Sequence, residues 1–180
     1  MLTITIPGVE LFDEVKMEFI TTEDQTLELE HSLVSLAAWE SIWEKPFLTK
    51  EDKTREETIS YIKCMTLTPN VDPNVYTFIS DDIIRQVNAY IAAPMTATTF
   101  TEEKSSKSNS ETTTAEIIYY WMVALNIPSE YQFWHLNRLM TLIKVCSIKN
   151  APPKKRKPAD ILRENAARNA ARKQKLNTRG

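Results

Sequence analysis

The chain has 180 residues, 42% of them hydrophobic and 26% charged, enough for one folded domain with an appended tail. It holds two glycines, Gly8 and Gly180. That excludes Walker loops, G-x-G-x-x-G dinucleotide fingerprints and G-x-S-x-G nucleophile elbows, which need glycine where backbone meets a ligand or turns with positive φ. The net charge of −2 hides a division, because residues 151–180 carry ten basic and two acidic side chains and residues 1–150 carry 12 and 22. An acidic folded body (1–150) with a basic arm (151–180) is expected.

The N-terminus reads as strand. Leu2–Ile6 alternates apolar and polar, Pro7-Gly8 supplies a turn, and Val15–Ile20 alternates again, with a further short strand over Thr26–Leu29. A β-hairpin within residues 1–29 is expected to lean on helices behind it, since so small a sheet is marginal alone.

Helix follows over residues 31–149. His31–Glu44 sets Leu36, Trp39 and Trp43 on one face until Pro46 ends it. Thr54-Arg-Glu-Glu57 is a capping box for a second helix carrying Ile59, Ile62 and Met65. The third starts at Ser80, with Asp81 and Asp82 in its first turn and Ile84, Val87 and Ile91 toward the core. Residues 95–113, rich in Ser, Thr, Glu and Lys, read as a flexible loop. Thr113-x-x-Glu116 then caps a fourth helix, Ala115–Leu125, whose nearly continuous apolar character predicts burial. Ser129-x-x-Gln132 opens a fifth helix running to about Ile148. Beyond Asn150, Ala151–Pro158 is a stiff basic linker containing Lys154, Lys155, Arg156 and Lys157. Asp160–Lys175 is helical by propensity, with Asn165-Ala-Ala-Arg168 repeated as Asn169-Ala-Ala-Arg172. The fold class is therefore mainly α: an N-terminal β-hairpin, about five helices and a basic C-terminal helical arm.

Signatures of catalysis are missing from the pattern. His31, Cys64, His135 and Cys146 show no zinc spacing. His135 and Cys146, on one helix, would stand about 16 Å apart at about 1.5 Å per residue, too far for a nucleophile and its base. The pairs Glu56-Glu57, Asp81-Asp82 and Glu102-Glu103 are explained by helix caps and a loop. No catalytic residue, metal or cofactor is expected. With two cysteines, no signal-peptide pattern and no apolar run of membrane-spanning length, a reducing cytoplasm and no membrane contact are the expectation.

Protein contact is the remaining mechanism. The block Trp134–Leu139 (WHLNRL) reads either as a core helix with a solvated polar face or as a surface formed by Trp134, Arg138 and Lys144, since Trp and Arg are favoured interface anchors. Trp39, Trp43, Trp134 and Arg138 are the candidate interaction residues of the body, and Arg168, Arg172 and Lys175 those of the arm. Self-association is expected from the opposed charges. Nucleic-acid binding through the Pro153–Pro158 run is a lesser reading, because residues 151–180 contain no aromatic side chain for base stacking.

Several stretches resemble a family encoded among the tail genes of long-tailed bacteriophages, the tail assembly chaperones: Leu29–Glu40 (LEHSLVSLAAWE), Glu44–Leu48 (EKPFL), Met95–Phe100 (MTATTF) and Tyr119–Pro128 (YYWMVALNIP). Trp134–Leu139, Lys149–Lys155 (KNAPPKK) and the Asn/Ala/Arg-rich end extend the resemblance over nearly the whole chain. The resemblance implies a mostly helical protein without a cofactor. It implies binding to the tape measure protein and tail tube subunits in the cytoplasm of the infected bacterial host. The alternative is a structural virion connector or tail-completion subunit whose arm wraps its neighbour. A basic-arm nucleic-acid-binding accessory protein is the third reading.

Overall fold

The computed structural model describes residues 1–8, 10–13, 18–21, 23–100, 112–152 and 158–176. It is mainly helical behind an N-terminal antiparallel hairpin, as the pattern required. Strand β1 (Leu2–Ile6) pairs with β4 (Gln25–Leu29), and β2 (Glu10–Asp13) pairs with β3 (Glu18–Thr21). Leu2 faces Leu29, Ile6 faces Gln25, Glu10 faces Thr21 and Asp13 faces Glu18. One register thus runs through both pairs, and they are successive segments of a single ribbon. The expected turn at Pro7-Gly8 is therefore wrong: the chain reverses between Asp13 and Glu18, and Gly8 instead donates its N–H to Asp24 Oδ1 at 2.8 Å where the ribbon is interrupted. Strand period explains the choice. With this pairing Ile4, Ile6, Leu27 and Leu29 share the buried face.

Helix α1 (Leu33–Trp43) begins later than expected, after Ser32, because Ser32 and Ser35 cap each other's backbone N–H. Leu33, Leu36 and Trp39 enter the core. Trp39 donates its indole N–H to the Glu57 carbonyl at 2.9 Å and Trp43 donates to Ser60 Oγ at 3.0 Å, which locks α1 on α2 (Arg55–Met65). The Thr54–Glu57 capping box forms as expected. A 3-10 segment, Pro73–Phe78, precedes α3 (Asp81–Ala92), where Ile83 and Val87 are buried and the expected core residues Ile84 and Ile91 are half-buried.

Two further expectations are corrected. The Thr113–Glu116 box does not form. Helix α4 (Ala115–Ala124) follows Thr114, which makes no side-chain cap bond. The cap comes from 75 residues away: buried Glu40 of α1 accepts the Ala115 N–H at 2.8 Å with one oxygen and the Phe47 N–H at 2.7 Å with the other. Nor is α4 buried all round. Ala115, Ile118 and Met122 face the core, while Tyr120 and Val123 are 68% and 76% exposed. A helix this short, seated against α1, covers one side only.

The expected fifth helix is broken. Ser129–Phe133 is a 3-10 segment, Trp134 is extended, and α5 (Leu136–Asn150) starts only after His135. The break occurs because His135 bridges to Ser32 and Leu136 donates its N–H to the His31 carbonyl at 2.7 Å. The arm forms α6 (Pro158–Leu176). The chain divides into two compact units, Met1–Ser147 and Ile148–Gly180. Most of the loop expected over residues 95–113, and the linker residues Lys154, Lys155, Arg156 and Lys157, lie outside the described residues.

Glu40→Ala leaves two buried N–H groups unpaired and should cost about 2–6 kcal/mol, at roughly 1–3 kcal/mol for each orphaned group. Urea denaturation measures this, and a loss below about 0.5 kcal/mol would show that Glu40 does not anchor α4.

Candidate interaction surface

The break between α4 and α5 creates the site. Asn126 adopts a left-handed conformation (φ 53°) that stops α4, and the Ile127 N–H returns to the Met122 carbonyl at 2.8 Å. Pro128 then starts the 3-10 segment, which presents Tyr131 and Phe133. The Tyr131 and Trp134 rings stack at 4.1 Å, and the Arg138 guanidinium lies 4.0 Å from the Trp134 ring on its own account as a cation–π contact. Tyr119 of α4 donates its hydroxyl to Gln132 Oε1 at 3.0 Å, tying the helix to this segment. Phe133 is 60% exposed.

Beside α4, Trp121 with Met140 and Ile143 of α5 lines an open groove of about 500 Å³. Phe100 closes it, with Lys144 Nζ 4.1 Å from the Phe100 ring centre. The lining is apolar apart from Thr141, Lys144 and Ser147. Groove, exposed α4 face and Trp134 stack supply apolar and aromatic surface with cations beside it.

Of the expected body residues, Trp134 and Arg138 are brought together here. Trp39 is not a surface residue: it is 2% exposed, packed edge-on against Phe47 at 5.0 Å, with its N–H satisfied. Trp43 is half-buried, stacked on Trp39. Arg168, Arg172 and Lys175 are exposed on α6, and Arg168 pairs with Glu164 at 2.6 Å. Sequence reasoning missed Tyr120, Val123, Phe133 and the groove residues Phe100, Trp121, Met140 and Ile143. The available signal was the all-round apolar profile of α4, which marks exposed binding surface as readily as burial.

The two histidines form a structural clasp. His31 and His135 meet edge to face at 5.1 Å. His135 Nδ1 accepts the Asn137 N–H at 3.3 Å, so the proton sits on Nε2, which donates to the Tyr90 carbonyl at 3.1 Å. His31 Nδ1 and the Tyr61 hydroxyl lie 2.5 Å apart. Burial, and secondarily the neighbouring His135, lowers the His31 pKa to about 3; burial also lowers that of His135. Burial likewise pushes the Tyr61 and Tyr90 hydroxyls and the Cys64 thiol up. Tyr90 donates to Glu30 Oε1 at 2.7 Å, and Glu30 pairs with the N-terminal ammonium at 2.9 Å. Cys64 and Cys146 are free and half-buried. Among the described residues, no three His, Cys, Asp or Glu side chains converge to hold a metal, and no helix is long and apolar enough to cross a membrane.

Comparison with protein-family models, curated proteins and solved structures gave no match.

Neutral buried histidines make stability fall with acid. The unfolded chain takes up a proton near pH 6.5 that folded His31 refuses until about pH 3. The stabilisation is thus complete above pH 6.5 and is lost as pH falls toward 3. Between about pH 7.5 and 5 the urea-unfolding free energy should drop by about 2 kcal/mol from His31 alone. A flat profile over that window would contradict the clasp.

Proposed function

We propose that this chain is a non-enzymatic assembly factor of the phage tail assembly chaperone class. In this reading it holds the tape measure protein and helps bring tail tube subunits to it in the cytoplasm of the infected host. The carrying observation is the apolar groove lined by Phe100, Trp121 of α4 and Met140 and Ile143 of α5, in a body that also exposes Tyr120, Val123 and Phe133. A groove walled by two helices suits an amphipathic helix laid along it, with aromatic and aliphatic anchors at helical spacing. A tape measure protein, as a long helical client, offers such segments in number. The mixture of Trp, Tyr, Met and Arg fits a client surface, since Met repacks around different anchors and the aromatic residues supply area at low entropic cost. The sequence resemblance points the same way.

Co-purification from infected cells tests the reading. The wild-type protein should be captured with the tape measure protein and be absent from purified particles of the phage that encodes it. Tyr120→Glu with Val123→Glu places charge on exposed positions that the fold does not use, and should weaken capture at least about tenfold, about 1.4 kcal/mol. Presence in particles at a fixed multiple of the tail symmetry would instead establish a structural virion subunit.

A further inference from the structure

Helix α6 is ordered by position as well as by charge. Between Leu162 and Leu176 it holds Arg163, Arg168, Arg172, Lys173 and Lys175 against Glu164, and every residue of that stretch is exposed except half-buried Glu164. At about 100° per residue, Asn165, Arg168, Asn169, Arg172 and Lys175 fall within about 120° of one side of the helix. The repeated Asn-Ala-Ala-Arg therefore builds one stripe of amides and cations, and its alanines add no bulk beside it. Arg163 stands on the opposite side, and Lys173 lies off the stripe as well.

We propose that helix α6 docks in the major groove of double-stranded DNA with this stripe facing inward. Charge complementarity calls for a polyanion, and the rest of the helix narrows the choice. Residues 151–180 contain no aromatic side chain, which leaves nothing for a single strand to stack on and no aromatic anchor for a protein interface. Leu162 and Leu176 are the large apolar residues of the stretch, one at each end, too sparse for the apolar face that a membrane surface or a coiled coil requires.

A duplex requires neither feature. A helix about 10–12 Å across enters a B-form major groove about 12 Å wide. The long side chains of Arg168, Arg172 and Lys175 then reach phosphates on the groove walls, where each contact displaces a condensed counterion. The shorter Asn165 and Asn169 stay over the base edges, where an amide supplies the donor and acceptor that adenine presents in reverse. Arg168 pairs with Glu164 at 2.6 Å at the surface. Exposed pairs of that kind are weak, and a phosphate can take the place of the carboxylate. The corresponding groove of duplex RNA is too deep and narrow for a helix, so DNA is the acceptor. The stripe and the apolar groove lie in separate compact units, and this inference stands without the client reading.

Fluorescence anisotropy of the full-length chain with a labelled mixed-sequence DNA duplex tests the assignment. Binding in about 0.05 M salt should weaken about fortyfold in about 0.2 M salt, the response of three phosphate contacts. Arg168→Ala with Arg172→Ala should weaken binding at least about tenfold in about 0.05 M salt and reduce the salt slope by about two. Arg163→Ala with Lys173→Ala removes the same charge from outside the stripe and should cost less than about threefold. Alanine keeps helix propensity, so both variants should retain the wild-type circular dichroism. Tyr120→Glu with Val123→Glu should leave DNA binding unchanged. No binding to the duplex in low salt, equal losses from the two arginine-containing pairs, or equal affinity for duplex RNA of the same sequence would each overturn the proposal. Tighter binding to polyglutamate than to the duplex would also overturn it, and would assign the stripe to an acidic protein.

Discussion

The arrangement of the body depends on one buried carboxylate. Glu40 sits buried near the end of α1, and its two oxygens accept the N–H groups of Phe47 and Ala115. The first of these turns the chain back under α1, so that Phe47 packs on Trp39 and on Tyr61. The second fixes the N-terminus of α4, where unpaired amide groups and the positive end of the helix dipole favour an anion. A negative charge is tolerated at that depth because both oxygens are hydrogen-bonded and a helix terminus faces one of them. An apolar residue in its place would leave the Phe47 and Ala115 N–H groups without that partner.

The histidine clasp does for α5 what Glu40 does for α4. Leu136 donates to the His31 carbonyl, His135 donates to the Tyr90 carbonyl, and the Asn137 amide donates to the Ile91 and Ala93 carbonyls at 2.8 Å, closing the exposed end of α3. Both helices are therefore held at their N-termini by directional bonds. Beside these bonds, α4 keeps Tyr120 and Val123 in solvent, and Trp121 and Met140 line an open groove.

The periodic elements and their local caps were legible in the sequence, because the forces that make them act within a few residues. The Thr54–Glu57 box and the Ser80 cap lie within one helical turn, and each formed where the pattern put it. What was illegible depends on long-range partners. Nothing near Thr113 indicates that Glu40 caps α4. Nothing in the run Ser129–Ile148 indicates that His135 will leave the helix to pair with Ser32. The ribbon register was hidden for another reason: two alternating runs competed for β1, and burial of Leu27 and Leu29 decides between them. Trp39 and Trp134 show the limit for the site, since two tryptophans both expected on helices ended differently: Trp39 in the core on α1, and Trp134 extended before α5 and stacked under an arginine.

The groove and the basic helix offer a partner different forces. The α4–α5 groove works by removing apolar area from water, which salts excluded from protein surfaces strengthen. The exposed basic side chains of α6 offer a partner charge, which salt screens within about 10 Å at moderate ionic strength. Long-range attraction also raises encounter rates more than it lengthens complex lifetimes, whereas apolar anchors act chiefly on dissociation.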